Sequence, residues 1–227
     1  MSHPHKIEIT GDGSPTIRSG IYDAEYHSKH GAVRESLHVF IEAGLNFLIA
    51  DQAPQEISLL EYGFGTGLNA YYTAEQCEKG PLVRYETLEL HPLDAITTDL
   101  FAEQLSGSKS HSFNPTLFSD LHRADWEKEV CIHPRFYLSK KKCDFRQYRP
   151  AGTYDLVYYD AFGPGTQADL WTKDIFGPLS EAVKSGGVLV TYCVQGAFRR
   201  MLSTLGFECE KLPGPPGKRE MLRAVKV

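Results

Sequence analysis

The chain has 227 residues, which is enough for one domain, or for one domain with a short N-terminal extension. Its content of 41% hydrophobic and 23% charged residues is ordinary for a globular protein. No apolar run is long enough to cross a membrane, and residues 1–6 lack the apolar core of a signal peptide. The net charge of −5 excludes a general attraction to nucleic acid, so such a partner would need a local basic patch.

The predicted elements alternate between strands and helices from residue 57 onward. Before that point, Gly11-Asp12-Gly13 separates two short β-type runs, and the end of the stretch 26–44 is helix-like. The predicted strands are 6–10, 16–19, 57–62, 82–90, 135–140, 154–160, 188–193, 207–212 and 220–226. The predicted helices are 68–79, 92–105, 116–128, 170–184 and 195–205. This order predicts an α/β fold with a mainly parallel sheet, and the short Pro/Gly loop before residue 220 predicts one reversed edge strand.

The most informative stretch follows the strand 57–62. Glu61 is followed by glycines at three alternate positions, Gly63, Gly65 and Gly67, and a helical pattern begins directly after them. A strand that runs into a glycine turn and then a helix makes a crevice at the carboxyl end of a parallel sheet. Glycines there let a ligand approach the backbone, and the helix N-terminus suits an anion such as a carboxylate. The turn predicts a nucleotide-type cofactor, and a tight turn without a ligand is the alternative.

The glycine spacing distinguishes between cofactors. A dinucleotide fingerprint, G-x-G-x-x-G, would need a glycine where the chain has Leu68. The observed acid-x-G-x-G-x-G pattern resembles motif I of S-adenosylmethionine-dependent methyltransferases, in which the turn holds the methionine end. Glu89 ends the strand 82–90, about 20 residues beyond the turn, where an acid can accept hydrogen bonds from both ribose hydroxyls. Glu86 or a merely solvated charge is the alternative, but His91-Pro92 ends the strand just after Glu89.

Asp160 is the best candidate for chemistry. The strand 154–160 delivers it to the sheet edge that also carries the glycine turn, and Phe162 and Pro164 then shape a loop that could wall the reacting centre. If the acceptor is an amine, the carboxylate can bind its N–H groups, orient the lone pair and help to remove a proton. Because a carboxylate also favours the ammonium form, orienting is the safer role. A strand-end or helix-capping Asp is the alternative.

Several separated stretches resemble the tRNA 5-methylaminomethyl-2-thiouridine-forming methyltransferases, that is, the methyltransferase half of bifunctional MnmC and its stand-alone relative MnmD. The stretches are 27–40, 61–69, 86–93, 154–171 and 212–223, and the resemblance covers residues 26–226. It implies a class I, Rossmann-like S-adenosylmethionine-dependent methyltransferase domain over 51–227, with a small N-terminal extension over 1–50 that packs on it. The implied reaction is methylation, with S-adenosyl-L-methionine as donor, of the amine of 5-aminomethyl-2-thiouridine at the wobble position of tRNA.

The resemblance also implies roles for single residues. The three turn glycines line the methionine end, Glu89 holds the ribose, and Asp144 binds the adenine amine. Glu61 and Asn69 also bind the cofactor. Asp160 lies beside the acceptor amine. The family loop D-G-F-A-P-x-K-N-P-x-x-W is not fully present, since residues 166–168 are Thr-Gln-Ala in place of Lys-Asn-Pro. Any role of that triplet therefore does not carry over.

Basic and aromatic residues indicate how RNA could bind. Lys218 and Arg219 follow a Gly/Pro loop and could reach phosphates, with a solvated surface as the alternative. The lysine triplet 140–142 is better interpreted as a solvated surface. Phe162 could stack on an extruded base, whereas Trp171 is better interpreted as core.

The expected partners are the tRNA anticodon loop and a separate enzyme that installs the aminomethyl group. No membrane or metal is expected, because the nine histidines show no metal spacing on a helix. The five cysteines contain no C-x-x-C pair, so we expect free buried thiols in a reducing cytoplasm. The alternative functions are a methyltransferase or aminopropyltransferase for a small-molecule amine, or a non-catalytic binder of an adenosyl nucleotide.

Overall fold

The computed structural model of the chain describes residues 5–108 and 112–227. Its strands are β1 (His5–Ile9), β2 (Pro15–Ser19), β3 (Glu56–Tyr62), β4 (Leu82–Glu89), β5 (Glu129–His133), β6 (Phe136–Lys142), β7 (Tyr154–Tyr159), β8 (Val183–Thr191), β9 (Phe207–Pro213) and β10 (Glu220–Lys226). Its α-helices are α1 (Ala32–Glu35), α2 (Phe47–Gln52), α3 (Leu68–Cys77), α4 (Ala95–Gly107), α5 (Pro115–Arg123), α6 (Lys173–Ala182) and α7 (Gly196–Thr204). A π-helical segment, Ser36–Asn46, joins α1 to α2, and a short 3₁₀ turn covers Ala168–Leu170.

The main sheet has eight strands in the order β5-β6-β4-β3-β7-β8-β10-β9. The five strands from β6 to β8 in that order are parallel, which confirms the predicted α/β class and mainly parallel sheet. As predicted, β9 and β10 are antiparallel to each other. The reversed strand β10, however, lies inside the sheet between β8 and β9, so its predicted place at the edge is wrong.

A second reversed strand, β5, pairs with β6 at the opposite edge of the sheet. The sequence did not predict it. The strand has only five residues, of which Glu129 and Cys131 are exposed and none is fully buried, so its apolar signal is short and weak. Pairing with a neighbouring strand, not local sequence pattern, forms it.

The central strands are covered on both faces by helices. Adjacent residues of a strand point to opposite faces, so Leu59 joins one hydrophobic cluster and Leu60 the other. The first cluster includes residues of the π-helical segment, α3 and α5, and the second includes residues of α6 and α7. Both faces being covered explains the continuous apolar runs of β3 and β7 in the sequence.

The predicted hairpin at the N-terminus is confirmed as a separate two-stranded sheet of β1 and β2. The following π-helical segment packs directly on the main sheet. A Cβ atom on Gly44 would lie 2.9 Å from Cγ2 of Val190 and 3.2 Å from Cε1 of Tyr158, so glycine permits the close contact. The domain boundary predicted after residue 50 falls within α2, and residues 1–4 of the extension lie outside the described part; this division stays a prediction.

Strand β8 begins at Val183, five residues before the predicted strand 188–193. Gly186 and Gly187 both lie within the strand, where Gly186 has a φ of +78° and the pairing with β7 shifts register. The predicted helix 116–128 is also shorter, since α5 ends at Arg123.

All five cysteines are unpaired, as expected, but they are not all buried. Cys77 and Cys193 are buried, whereas Cys131 is exposed on β5, so the expectation of buried thiols is wrong there. Within residues 5–108 and 112–227, no helix has the length and apolar character needed to cross a bilayer. The same residues hold no group of three or more His, Cys, Asp or Glu side chains that could bind a metal ion.

Candidate active site

A cavity of about 540 Å³ opens at the carboxyl edge of the parallel strands, which is the usual ligand position in such sheets. It brings together most of the residues predicted for the site. Those that line it are Gly63, Gly65, Asn69, Glu89, Asp144, Asp160, Phe162 and Lys218. The other three predicted residues, Glu61, Gly67 and Arg219, are not among its lining residues.

The glycine turn is required by the backbone of the protein itself. The φ angles of Gly63, Gly65 and Gly67 are +102°, +51° and +74°, which side-chain-bearing residues rarely adopt. A Cβ atom on Gly63 would lie 2.7 Å from the backbone oxygen of Asp160, and one on Gly67 would lie 2.8 Å from Nε2 of His122. The turn therefore fits closely against the end of β7 and against α5, in addition to lining the cavity.

His122 supports the turn from behind, and the sequence did not predict this role. Its Nε2 lies 3.1 Å from the backbone oxygen of Thr66, and burial lowers the pKa of His122 to about 4. The ring is therefore neutral and its N–H donates to Thr66. Lys140 donates in turn to the backbone oxygen of His122 at 2.7 Å and is itself 1% exposed, so the interpretation of the lysine triplet as a solvated surface is wrong for Lys140.

Glu89 ends β4 with its carboxylate held at the rim of the cavity. The N–H of Gly65 donates to Oε2 at 3.0 Å, and the N–H of His91 donates to Oε1 at 2.8 Å. Tyr26 packs over the turn, since a Cβ atom on Gly65 would lie 3.0 Å from its Cδ1. The carboxylate is thus fixed in orientation and retains acceptor capacity for hydroxyl groups.

Asp144 follows β6 at the same end of the cavity and is paired with Arg146. The backbone N–H of Arg146 donates to Oδ1 at 2.9 Å, and its Nε donates to Oδ1 and Oδ2 at 2.9 and 3.0 Å. These hydrogen bonds lower the pKa of Asp144, so the carboxyl is ionised. Arg146 also reaches Asp169 at 2.9 Å, and it is a cavity residue that sequence reasoning missed.

Asp160 lies one residue beyond the end of β7, beside the glycine turn. The Nδ2 of Asn69 donates to Oδ2 of Asp160 at 2.9 Å and to Oε1 of Glu61 at 3.1 Å, so one amide holds two carboxyl groups. Burial raises the pKa of Asp160 to about 7, and the charge of Glu35 also raises it. The bond from Asn69 and the charge of Lys218 act in the opposite direction.

Glu61 lies behind Asp160 and has no exposed surface. The Oγ1 of Thr87 donates to its Oε2 at 2.7 Å, and burial raises the pKa of Glu61 to about 8. The Oγ of Ser36 donates to Oδ1 of Asn69, which fixes the amide that bridges Glu61 and Asp160. Glu61 therefore supports the site from within the core, and its direct contact with a cofactor stays a prediction.

Glu35 and Lys218 form an ion pair at the Asp160 end of the cavity. The side chain of Glu35 is 7% exposed, and the N–H of Ser28 donates to its Oε2 at 2.7 Å. Lys218 donates to Oε1 of Glu35, and its Nζ lies 3.7 Å from the centroid of the Tyr192 ring. We did not predict Glu35 as a site residue, although it lies in the stretch 27–40 that resembles the family.

The loop between β9 and β10 carries Lys218 and packs against the N-terminal extension. A Cβ atom on Gly217 would lie 1.8 Å from Cδ2 of His30, so the loop and the N-terminal extension are in close contact there. Nε2 of His38 also lies 2.8 Å from the backbone oxygen of Pro213. Arg219, the next residue after Lys218, is exposed. The loop thus directs Lys218 inward and Arg219 outward.

Three aromatic side chains form one wall of the cavity. The ring of Phe162 lies 5.1 Å from that of Tyr22 and 5.3 Å from that of Tyr26, between centroids. Trp171 is 8% exposed and belongs to the core, as expected, and its Nε1 donates to the backbone oxygen of Phe162 at 2.8 Å. The two tyrosines come from the N-terminal extension and were not predicted as site residues.

Comparison with known proteins gives both a family model and relatives. The model described as S-adenosyl-L-methionine-dependent methyltransferase matches residues 136–227. The tRNA 5-methylaminomethyl-2-thiouridine biosynthesis bifunctional protein MnmC of Aromatoleum aromaticum is 30% identical over 97% of this chain and 35% of its own length. The protein of that name from Delftia acidovorans is 32% identical over 99% of this chain and 35% of its own length. The chain therefore spans about a third of the length of these relatives.

Two solved structures resemble this one. MNMC2 from Aquifex aeolicus superposes with a TM-score of 0.79 and 25% identity, over 99% of this chain and 70% of that chain. A probable spermidine synthase from Corynebacterium glutamicum superposes with a TM-score of 0.52 and 17% identity, over 98% of this chain and 76% of that chain, and shows the fold alone. The predicted family resemblance is confirmed: this chain is a class I S-adenosyl-L-methionine-dependent methyltransferase related to the MnmC proteins.

Proposed function

We propose that the protein uses S-adenosyl-L-methionine to N-methylate the aminomethyl group of 5-aminomethyl-2-thiouridine at the wobble position of tRNA. The observation that carries the proposal is the position of Asp160. Its carboxyl lines the cavity directly beside the glycine turn, with its pKa raised to about 7. This arrangement suits an amine acceptor, and the similar MnmC proteins bear the name of a methylaminomethyl nucleoside.

The residues at the other end of the cavity fit the proposed cofactor. An adenosyl group carries hydroxyl and amine donors, and Glu89 and Asp144 supply carboxylate acceptors there. The N–H groups and open backbone of the glycine turn suit the carboxylate of the methionine part. When bound, S-adenosylmethionine supplies a methyl group, whose bond to sulfur breaks as the bond to the acceptor nitrogen forms, leaving the electron pair on sulfur.

Asp160 has two tasks in this proposal. An alkyl amine has a pKa of about 10, so the acceptor arrives as an ammonium ion and has no lone pair until it loses a proton. The Asp160 carboxylate binds the N–H groups and accepts that proton, which its raised pKa makes less unfavourable than for an ordinary Asp. Asn69 fixes one oxygen of the carboxylate and so sets its direction.

The aromatic wall and one exposed cation suit an RNA substrate. Phe162, Tyr22 and Tyr26 offer ring surfaces on which an extruded base can stack. Arg219 is exposed near the acceptor end and can contact a phosphate. In this proposal a separate enzyme supplies the aminomethyl precursor, and the protein acts on tRNA in the cytoplasm.

The test is incubation of the purified protein with methyl-labelled donor and tRNA that carries the aminomethyl precursor, followed by nucleoside analysis. The expected product is labelled 5-methylaminomethyl-2-thiouridine. Parallel reactions contain free polyamines in place of tRNA. Label on a polyamine and none on tRNA would overturn the proposal and favour a small-molecule amine as substrate.

A further inference from the structure

Lys218 is held inside the cavity by two contacts. Its ammonium group donates to the carboxylate of Glu35 and lies 3.7 Å from the ring centroid of Tyr192. The hydroxyl of Tyr192 donates to the backbone oxygen of Ala161 at 2.6 Å, which fixes the ring beneath the cation. Lys218 lines the cavity with a side chain that is 28% exposed, so it is poorly placed to reach phosphates on the outer surface.

The groups around Lys218 come from several elements. Glu35 ends α1, Asp160 follows β7, Tyr192 follows β8, and Asn69 on α3 connects Asp160 to Glu61 on β3. Two further titratable groups interact with Lys218: Cys193, whose pKa is raised by burial, and His27, whose ring is buried and neutral because burial lowers its pKa to about 4. Lys218 is paired with Glu35, and its charge also lowers the pKa of Asp160, so this one cation acts on two carboxyl groups.

This balance matters for an amine acceptor. Methyl transfer needs the neutral amine, because an ammonium ion has no lone pair. Two carboxylates without a cation would hold the amine as ammonium, since opposite charges within about 4–6 Å favour the charged form. A fixed ammonium group of the protein in the same cavity disfavours a second positive charge there.

We propose that the Lys218–Glu35 ion pair is a positioning element that favours loss of a proton from the acceptor ammonium group of the substrate, and that Lys218 does not bind tRNA phosphates. This inference rests on the proposed function. It assigns to Lys218 an electrostatic task on a cationic alkyl amine and to Glu35 the task of holding Lys218 in place.

The proton balance is simple. The ammonium form of the acceptor loses one proton to an oxygen of the Asp160 carboxylate: an N–H bond breaks, an O–H bond forms, and the electron pair stays on nitrogen. The proton then leaves Asp160 for solvent. Lys218 takes no part in the proton transfer, and its charge lowers the proton affinity of both Asp160 and the amine.

The experiment compares Lys218→Met with the double variant Lys218→Met/Glu35→Gln. Removal of the cation alone should move the acid limb of the kcat–pH profile to higher pH and lower kcat at pH 7 by roughly tenfold, since one pKa unit is a factor of ten. The KM for tRNA should not rise, because the unpaired Glu35 binds the ammonium form. Neutralising Glu35 as well should return the limb toward its wild-type position.

An NMR titration and a control variant test whether the change in kcat comes from the charge of Lys218. Carbon-13 NMR titration of the Asp160 carboxyl, without cofactor or tRNA, should show a higher pKa in Lys218→Met, and Lys218→Gln provides the same test if the Met variant does not fold. Lys211→Met is the matched control, since Lys211 forms an exposed pair with Glu220 at 2.6 Å outside the cavity. Lys211→Met should leave both the kcat–pH profile and the NMR titration of Asp160 unchanged.

A higher KM for tRNA in Lys218→Met, together with unmoved kcat and NMR titrations, would overturn the inference and indicate a phosphate contact. If the wild-type protein methylates tRNA and Lys218→Met gives this result, only the inference about Lys218 is overturned. Wild-type protein that transfers no methyl group to tRNA removes the proposed function and, with it, the task assigned to Lys218.

Discussion

The substitution Gly63→Ala tests whether the glycine turn serves the protein backbone or only ligand access. Gly63 has a φ of +102°, and an added Cβ atom would lie 2.7 Å from the backbone oxygen of Asp160. If the turn exists only to admit a cofactor, an added methyl group would weaken cofactor binding and leave the ligand-free protein as stable as before. The structure predicts a loss of stability without any ligand.

The size of the loss follows from two effects. A positive φ costs a residue with a side chain about 1–2 kcal/mol. Relieving the contact with Asp160 requires β3 and β7 to separate by a few tenths of an ångström, and such overpacking costs about 1–3 kcal/mol. For a domain of this size, each kcal/mol lowers Tm by about 2–4 °C, so we expect Tm to fall by roughly 4–20 °C.

Thermal unfolding of the ligand-free protein, followed by circular dichroism, measures this change. Gly165→Ala is the matched control, because an added Cβ atom there would have nothing within 4 Å and φ lies outside the positive range. The control should unfold at the wild-type temperature. Equal Tm values for wild type and Gly63→Ala would refute the reasoning, whatever happened to cofactor affinity.

The remaining predictions concern three carboxyl groups. Asp160→Asn should lower kcat at saturating substrates by about 100-fold or more and keep the affinity for S-adenosylhomocysteine in calorimetry; unimpaired turnover would contradict its role. Because Asp160 acts ionised and its pKa is about 7, wild-type kcat should rise roughly tenfold between pH 6 and pH 8, and a flat profile would exclude this group as the proton acceptor. Glu89→Ala should raise the cofactor Kd by about 10–100-fold, since hydrogen bonds to a charged group are worth about 1.5–3 kcal/mol, and an unchanged Kd would remove its ribose role. Glu61 has a pKa of about 8 when folded and 4.5 ordinarily, so the folded state binds its proton more tightly and the free energy of unfolding should fall as pH rises from about 5 to 8. Urea unfolding at both ends of that range should show that the free energy of unfolding depends less on pH in Glu61→Gln than in the wild type. An equal dependence in the two proteins would mean that other groups cause it.

Sequence reasoning located the parts of the site that lie at strand ends. Glu89 ends β4, and Gly63 and Asp160 directly follow β3 and β7. The carboxyl ends of parallel strands meet at one edge, so the proximity of these residues followed from the order of elements. Glu35 and Lys218 were not paired in advance, because they are 183 positions apart and no periodicity links a helix end to a distant loop. The wall formed by Tyr22 and Tyr26 was missed for the same reason.

The sequence likewise predicted the main features of the fold but not the position of every strand. The alternation of elements determined the parallel core, and the Pro/Gly loop determined that β9 and β10 are antiparallel. The sequence could not show whether β9 or β10 pairs with β8, because the two strands form the same hairpin in either case. The strand β5 was not predicted because it is short and none of its five residues is fully buried, so its formation depends on pairing with β6.

The contact between Glu35 and Lys218 also governs when the protein becomes competent during its synthesis. A ribosome makes the helix that carries Glu35 early and the loop that carries Lys218 183 residues later. Nascent chains tend to fold from the N-terminus as they emerge. Glu35 can meet Lys218 only after residue 218 has left the exit tunnel, so the Asp160 end of the cavity is completed late in synthesis. Translation therefore has to pass that loop before the first turnover.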